Sequence, residues 1–187
     1  MKLLPFSGKF IVRSELKEVV NEFIKPVLNR VEDIKSALQQ GTYKSLSLED
    51  ILEQEFQPIF ESLNRQIDLS VLSSTFEEPF GIHTLGQPTQ IRIKDVIELS
   101  DGDVYIEFTA LYEADAYAYV SHFEAPSAAH LGFHISDPDW NETYAEVEGV
   151  VHLEATVGLT YDFEQETATS VEVIDCDTLR PGGSETD

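Results

Sequence analysis

The sequence predicts an α+β fold in which an N-terminal helical hairpin packs on an antiparallel β-meander of about four strands. Apolar residues recur every three or four positions up to residue 67, the period of a helix, and beyond residue 91 they alternate with polar residues, the period of a strand. A sheet with one apolar face needs a second layer, which the helices would supply. The predicted units are a helical hairpin over 1–70, a connecting segment over 71–90, an acidic antiparallel β-sheet domain over 91–177 and a disordered tail over 178–187.

The first helix is predicted to begin at Ser14, which caps it, and to end at Gly41. A continuous apolar stripe runs between these residues. Pro26 lies inside the stripe, where it removes one backbone hydrogen bond and crowds the preceding turn. We therefore expect a kink or a break at residues 21–25.

The second helix is predicted from Ser47 to Ile67. Asp50 follows Ser47 by three residues, a spacing typical of a capping box. Pro58 predicts another irregularity. A short turn between the two helices would make them a hairpin.

Two long strands are predicted at 103–120 and 144–162. Apolar residues occupy the even positions of the first and odd positions of the second, such as Val147 and Leu153, while carboxylates occupy the alternate positions. Each strand would therefore have one buried and one solvated face. Shorter strands are predicted at 90–99 and 168–175, with hairpin turns at Asp101-Gly102 and Asp162–Glu166.

The composition is that of a folded, soluble protein. The chain has 187 residues, of which 42% are hydrophobic, and this is enough apolar surface for one sizeable core. A single cysteine excludes an internal disulfide. No apolar run approaches the ~18 residues of a membrane span, and the first residues lack the apolar run of a signal peptide. We expect a cytoplasmic protein without membrane contact.

The charge is segregated along the chain. Residues 1–94 carry eleven basic and thirteen acidic side chains, whereas residues 95–187 carry one basic and twenty-two acidic ones. Such a field repels phosphates and attracts basic surfaces, so we expect no direct binding of nucleic acid and a basic protein partner. The predicted partner-binding residues are the carboxylates on the solvated face of the long strands: Glu107, Glu113, Asp115, Glu146, Glu148 and Glu154.

One segment has the spacing of a calcium loop. Positions one, three, five and twelve of such a loop are matched by Asp137, Asp139, Asn141 and Glu148. Position six is Glu142 rather than the glycine that permits the sharp turn, and the last ligand falls within a predicted strand. The alternative is a turn-rich loop in which Trp140 packs back on the sheet.

Other candidate sites have simpler interpretations. His122, His130 and His134 could form a metal cluster, but their surroundings are typical of an irregular connection with ordinary loop histidines. Paired carboxylates, such as those at 113 and 115, have the spacing of hydrolase acids. Acid–base catalysis requires environments that make the pKa values of the two carboxyl groups differ, and a uniformly acidic, solvated face supplies no such difference. Cys176 stands between two aspartates, which disfavour its thiolate.

No phosphate-binding loop or nucleophile motif occurs. The sequence therefore predicts no enzyme, no catalytic residue, no metal site and no cofactor.

Several stretches resemble the region that follows the nuclease domain in bacterial proteins with a PIN-like domain. They are Asn21-Glu-Phe-Ile-Lys-Pro26, the Gly-Thr-Tyr turn at 41–43, the run from Ile93 to Phe108, Tyr112-Glu-Ala-Asp-Ala-Tyr-Ala-Tyr119 and Asp137-Pro-Asp-Trp-Asn141. PIN nucleases begin with an acid at the end of an apolar strand, and residues 1–90 contain nothing of that form. No catalytic residue is therefore carried over.

The resemblance implies an accessory portion without its nuclease domain, either a separate gene product or a piece of a larger protein. Its function would be that of a regulatory protein-interaction domain, whose partner is a basic protein or a fused or associated nuclease domain. The alternative function is that of an acidic nucleic-acid mimic or antitoxin-like inhibitor, which would occupy the phosphate groove of a basic nucleic-acid-binding protein. A small metal-dependent enzyme is a third possibility.

Overall fold

The computed structural model describes residues 20–44, 46–99 and 103–179, which form an α+β fold built on one large antiparallel sheet. Its helices are α1 (Lys25–Gln39), α2 (Leu48–Gln54), α3 (Phe56–Gln66) and the short α4 (Ala125–Ala128). Its strands are β1 (Thr42–Tyr43), β2 (Leu46–Ser47), β3 (Glu77–Leu85), β4 (Thr89–Glu98), β5 (Val104–Ser121), β6 (His134–Asp137), β7 (Tyr144–Asp162) and β8 (Thr167–Leu179).

The long strands β5 and β7 form the centre of the six-stranded sheet. They pair along their whole length, from Val104 opposite Tyr161 to Ser121 opposite Tyr144. β3 and β4 both pair with β5, and β6 and β8 both pair with β7. Each outer edge is therefore shared by two shorter strands. The antiparallel sheet is confirmed, but it has six strands rather than about four, and β1 and β2 form a separate two-stranded sheet.

Strand β3 lies within 71–90, the stretch expected to connect the helices to the sheet. Its pairing with β5 shifts register twice, between Glu77 and Gly81 and between Ile82 and Thr84. Each shift changes which residues face the core, so the sequence there shows no alternation of period two.

The predicted alternation in the long strands is confirmed. The even-numbered residues of β5 and the odd-numbered residues of β7 are buried on one face, which we call the core face. Phe108 and Leu153, for example, have no exposed side-chain surface. The apolar sides of the helices belong to the same buried cluster.

The helices do not form a hairpin packed along its own length. α1 lies on β4, whereas α3 lies on β8 and β3. The Asn64 side-chain oxygen of α3 accepts a hydrogen bond from the backbone N–H of Ile82 at 2.6 Å, and Gln66 donates one to the carbonyl of Val173 at 3.3 Å. Because an apolar stripe does not specify its partner, the sequence could not distinguish helix-on-helix from helix-on-sheet packing.

Both predicted irregularities of the helices occur. A π-helical turn over Val20–Ile24 precedes α1, where Pro26 was expected to disturb the chain. The second helix divides at Glu55, because Pro58 has no N–H with which to bond the carbonyl of residue 54. The Ser47 hydroxyl accepts from the Asp50 N–H at 3.3 Å, as a cap should. The expected cap at Ser14 lies outside the described residues.

The ends of the last hairpin are also defined. The Asp162 side chain accepts hydrogen bonds from the N–H groups of Glu164 and Gln165, which confirms a turn before β8. Residues 178 and 179, expected in the tail, belong to β8. The Asp101-Gly102 turn lies outside the described residues.

None of the helices in the described ranges is long and apolar enough to cross a bilayer.

Replacing Tyr112 by phenylalanine is expected to raise the free energy of unfolding by about 1 kcal/mol. The Tyr112 hydroxyl is buried, has no hydrogen-bond partner among the described residues, and has its pKa raised by burial. Phenylalanine keeps the ring and removes the unpaired polar atom. Urea unfolding would measure the change. Tyr144→Phe is the control, because the Tyr144 hydroxyl bonds to Glu77 and its removal should give no gain. A loss of stability in Tyr112→Phe would contradict the prediction.

Candidate functional site

The six predicted partner-binding carboxylates lie on the face of the sheet opposite the core, which we call the open face. Register pairs Tyr119 with Glu146, Tyr117 with Glu148 and Leu111 with Glu154. All six are exposed or partly exposed: Glu107, Glu113, Asp115, Glu146, Glu148 and Glu154. The helices bury the other face, so these charges are left in contact with solvent.

The three carboxylates of β5 each have a polar neighbour on the open face. Glu113 lies 3.9 Å from the Nε2 of His152, and Asp115 accepts a hydrogen bond from the Thr84 hydroxyl. Glu107 lies 4.0 Å from the Nζ of Lys94. Pairs as exposed as these contribute little to stability, which leaves the carboxylates available for other contacts.

Two histidines converge on Glu148 at one end of the open face. The Nε2 of His83 is 3.2 Å from one oxygen of Glu148, and the Nε2 of His134 is 3.8 Å from the other. Glu146 lies beside them, and one ligand atom each from His83, Glu146 and Glu148 lie within 4.8 Å of one another. We call these four residues the histidine–glutamate cluster.

Four strands bring the cluster together. Glu146 and Glu148 are alternate residues of β7 and therefore project from the same face, with His134 of β6 directly opposite Glu148. His83 of β3 reaches them across β5, where its ring stacks on that of Tyr117 at 4.7 Å. The Tyr117 ring in turn lies over Gly81, so close that an added Cβ would clash with it. A side chain at that position would displace the Tyr117 ring from the stack.

Hydrogen bonds orient the carboxylate of Glu146. The Ser136 hydroxyl donates to it at 3.0 Å, and the Tyr119 hydroxyl is also bonded to it. Burial, followed by the charge of Glu146 and this bond, raises the pKa of Tyr119. A shallow pocket of about 220 Å³ opens beside the cluster, next to Asp115.

Aromatic side chains adjoin the cluster. The rings of Tyr117 and Tyr119 are 6.0 Å apart, and Trp140 covers Tyr119 at 4.1 Å. The prediction that Trp140 packs back on the sheet is therefore confirmed. A surface with such side chains beside charges can supply the anchors of a protein interface.

Asp137 and Asp139, which have the spacing of a calcium loop with Glu148, do not lie in one ligand group with it in the structure. The Asp137 side chain accepts from the N–H of Asp139, and that of Asn141 accepts from the N–H groups of Thr143 and Tyr144. These are turn contacts within the loop. Glu148, the twelfth position, lies instead in the histidine–glutamate cluster.

The three loop histidines are also separated. His122 bonds to the carbonyl of Asn141 at 2.9 Å, His130 is exposed on a 3₁₀ turn, and only His134 joins the cluster. Cys176 faces the core side, and burial, with smaller effects of Asp177 and Asp175, raises its pKa to about 12. Its thiol is therefore protonated at neutral pH, as an inert residue would be.

Comparison of the chain with protein-family models, with curated proteins and with solved structures found no match. The resemblance to the region after PIN-like nuclease domains therefore stays a prediction from the sequence.

Proposed function

We propose that this protein is a non-catalytic, cytoplasmic interaction module that binds a basic protein through its open face, as an accessory or regulatory domain of a PIN-like nuclease would. The observation that supports the proposal most is the position of the six carboxylates. They share one face of β5 and β7, in a half of the chain that has only one basic side chain. A field of one sign over a continuous surface steers an oppositely charged partner.

The open face also has features that a purely repulsive surface lacks. Tyr117 and Trp140 lie beside the carboxylates, and an interface derives much of its affinity from aromatic anchors. Charges would accelerate encounter, and aromatic contacts would hold the complex. Nucleic acid is disfavoured as a direct ligand, because its phosphates would meet charges of the same sign.

The alternative function is that of an acidic nucleic-acid mimic. It is favoured by the regular placement of the carboxylates, since alternate residues such as Glu113 and Asp115 are spaced by ~7 Å along a strand. Two rows of charges on β5 and β7 could occupy a groove that normally receives phosphates. The partner would then be a nucleic-acid-binding protein that loses its ligand when this chain binds.

The test is a charge reversal on the open face. The double variant Glu113→Lys, Glu154→Lys is expected to slow association with a partner captured from the source organism by tenfold or more, because steering is lost. Surface plasmon resonance at several salt concentrations would measure it, and the wild-type rate should fall as salt rises. If binding of this chain releases nucleic acid from the captured partner, the result supports the nucleic-acid mimic.

The matched control is Glu32→Lys, Asp33→Lys, which makes the same change of charge on the exposed side of α1. Its association rate should stay near that of the wild type. Equal rates for the two double variants, or no dependence on salt, would contradict the proposal. Cleavage of RNA with added Mg²⁺ that is lost in the open-face variant would contradict its non-catalytic part.

A further inference from the structure

We infer that the histidine–glutamate cluster is a binding site for a divalent transition-metal ion, zinc in the first place. Its ligands would be the Nε2 of His83 and the carboxylates of Glu146 and Glu148, with His134 in the fourth position. Glu146 and Glu148 are also among the six carboxylates of the proposed interface, but zinc binding involves no partner protein and is measured without one.

The distances suit tetrahedral zinc. Bonds of 2.0–2.2 Å to nitrogen and oxygen place neighbouring ligand atoms about 3.4 Å apart. The Nε2 of His83 is 3.2 Å from a Glu148 oxygen, and the Nε2 of His134 is 3.8 Å from the other. The His134 side chain is 71% exposed, so it can turn toward an ion at little cost. The ligand atoms of His83, Glu146 and Glu148 lie within 4.8 Å of one another, so side-chain rotations would have to bring the set closer around an ion.

The surrounding residues already hold the ligands in place. Ser136 and Tyr119 bond to the carboxylate of Glu146, and Tyr117 stacks on the ring of His83. Contacts of this kind orient metal ligands and raise affinity in known sites. The room that Gly81 leaves for Tyr117 is therefore part of the arrangement.

The ligand types select the ion. Imidazole nitrogen suits zinc and related transition metals, whereas calcium and magnesium take oxygen ligands alone. Two carboxylates offset the charge of the ion. Elsewhere on the open face, His152 and Glu113 form a comparable pair at 3.9 Å, but among the described residues no third ligand completes a set there.

The experiment is calorimetric titration of the full chain with ZnCl₂. His83→Gln and Glu148→Gln should each weaken binding by tenfold or more, and His134→Gln by threefold or more. His152→Gln and Glu154→Gln are the matched controls, because they remove a histidine and a carboxylate from the same face outside the cluster. Both should bind zinc within twofold of the wild type. Circular dichroism of each variant would verify folding.

A second measurement needs no variant. Zinc added to the isotopically labelled wild type should shift the imidazole signals of His83 before those of His122, His130 and His152. Three results would overturn the inference. They are an unshifted His83, equal weakening by the control variants, and binding of CaCl₂ as tight as that of ZnCl₂.

Discussion

Replacing Phe133 by alanine is expected to lower the free energy of unfolding by about 3–5 kcal/mol. Its side chain is only 2% exposed and packs against Phe76, with the ring centroids 4.8 Å apart. It also lies over Gly149 of β7, where an added Cβ would meet the ring at 2.7 Å. The Phe133 ring therefore packs directly against the Gly149 backbone. Removal of the ring leaves a cavity beside the strand that carries Glu148.

A double-mutant cycle tests the contact between Phe133 and Gly149. Gly149→Val alone should lower the free energy of unfolding by about 1–3 kcal/mol, because it forces the ring out of position. The pair Phe133→Ala, Gly149→Val should lose less than the sum of the two, since the valine fills part of the cavity. Chemical denaturation would measure all three variants.

The control for this cycle is Phe123→Ala. Phe123 is 97% exposed, so its loss should change the free energy of unfolding by less than about 0.5 kcal/mol. Equal losses for Phe133→Ala and Phe123→Ala would show that the packing over Gly149 contributes nothing. Strict additivity in the double variant would contradict the direct contact.

The long strands could be predicted because one face is covered and the other is open. Under that condition every second residue must be apolar. The predicted bounds of the second long strand, 144–162, are those of β7. The same reasoning placed the six carboxylates on the open face. Strand β3 could not be found in this way, since the bulges near Gly81 and His83 interrupt its period.

The histidine–glutamate cluster was beyond sequence reasoning for a related cause. His83 and Glu148 belong to strands that are not neighbours in the chain or in the sheet, and they meet only because His83 leans across β5. A bulge between Ile82 and Thr84 sets the side to which His83 points. The spacing of residues in the sequence reveals neither the register of the strands nor the position of the bulge in β3. The loop histidines were expected to be ordinary loop residues, and of the three only His134 lies in the cluster.

Residues 90–177 expressed alone are expected not to form a cooperatively folded monomer. The fragment lacks α1, α2, α3 and β3, and the core face of its sheet would be exposed to water. Seven side chains of the missing helices are nearly or fully buried in the whole protein: Ile34, Leu38, Leu48, Ile51, Leu52, Ile59 and Leu63. Burying one such side chain contributes roughly 1.5–3 kcal/mol, so their joint loss matches a net stability of about 5–15 kcal/mol.

Size-exclusion chromatography and urea unfolding of the fragment would measure this outcome. A point variant gives the same test in the full chain: Ile34→Asp places a charge at a fully buried position of α1 and should unfold the protein or shift it to aggregates. Leu28→Asp is the matched control, because Leu28 is on the same helix but 56% exposed, and it should leave unfolding nearly unchanged. A fragment as stable and monomeric as the whole chain, or equal tolerance of the two aspartates, would mean that the helices are not needed to cover the core face.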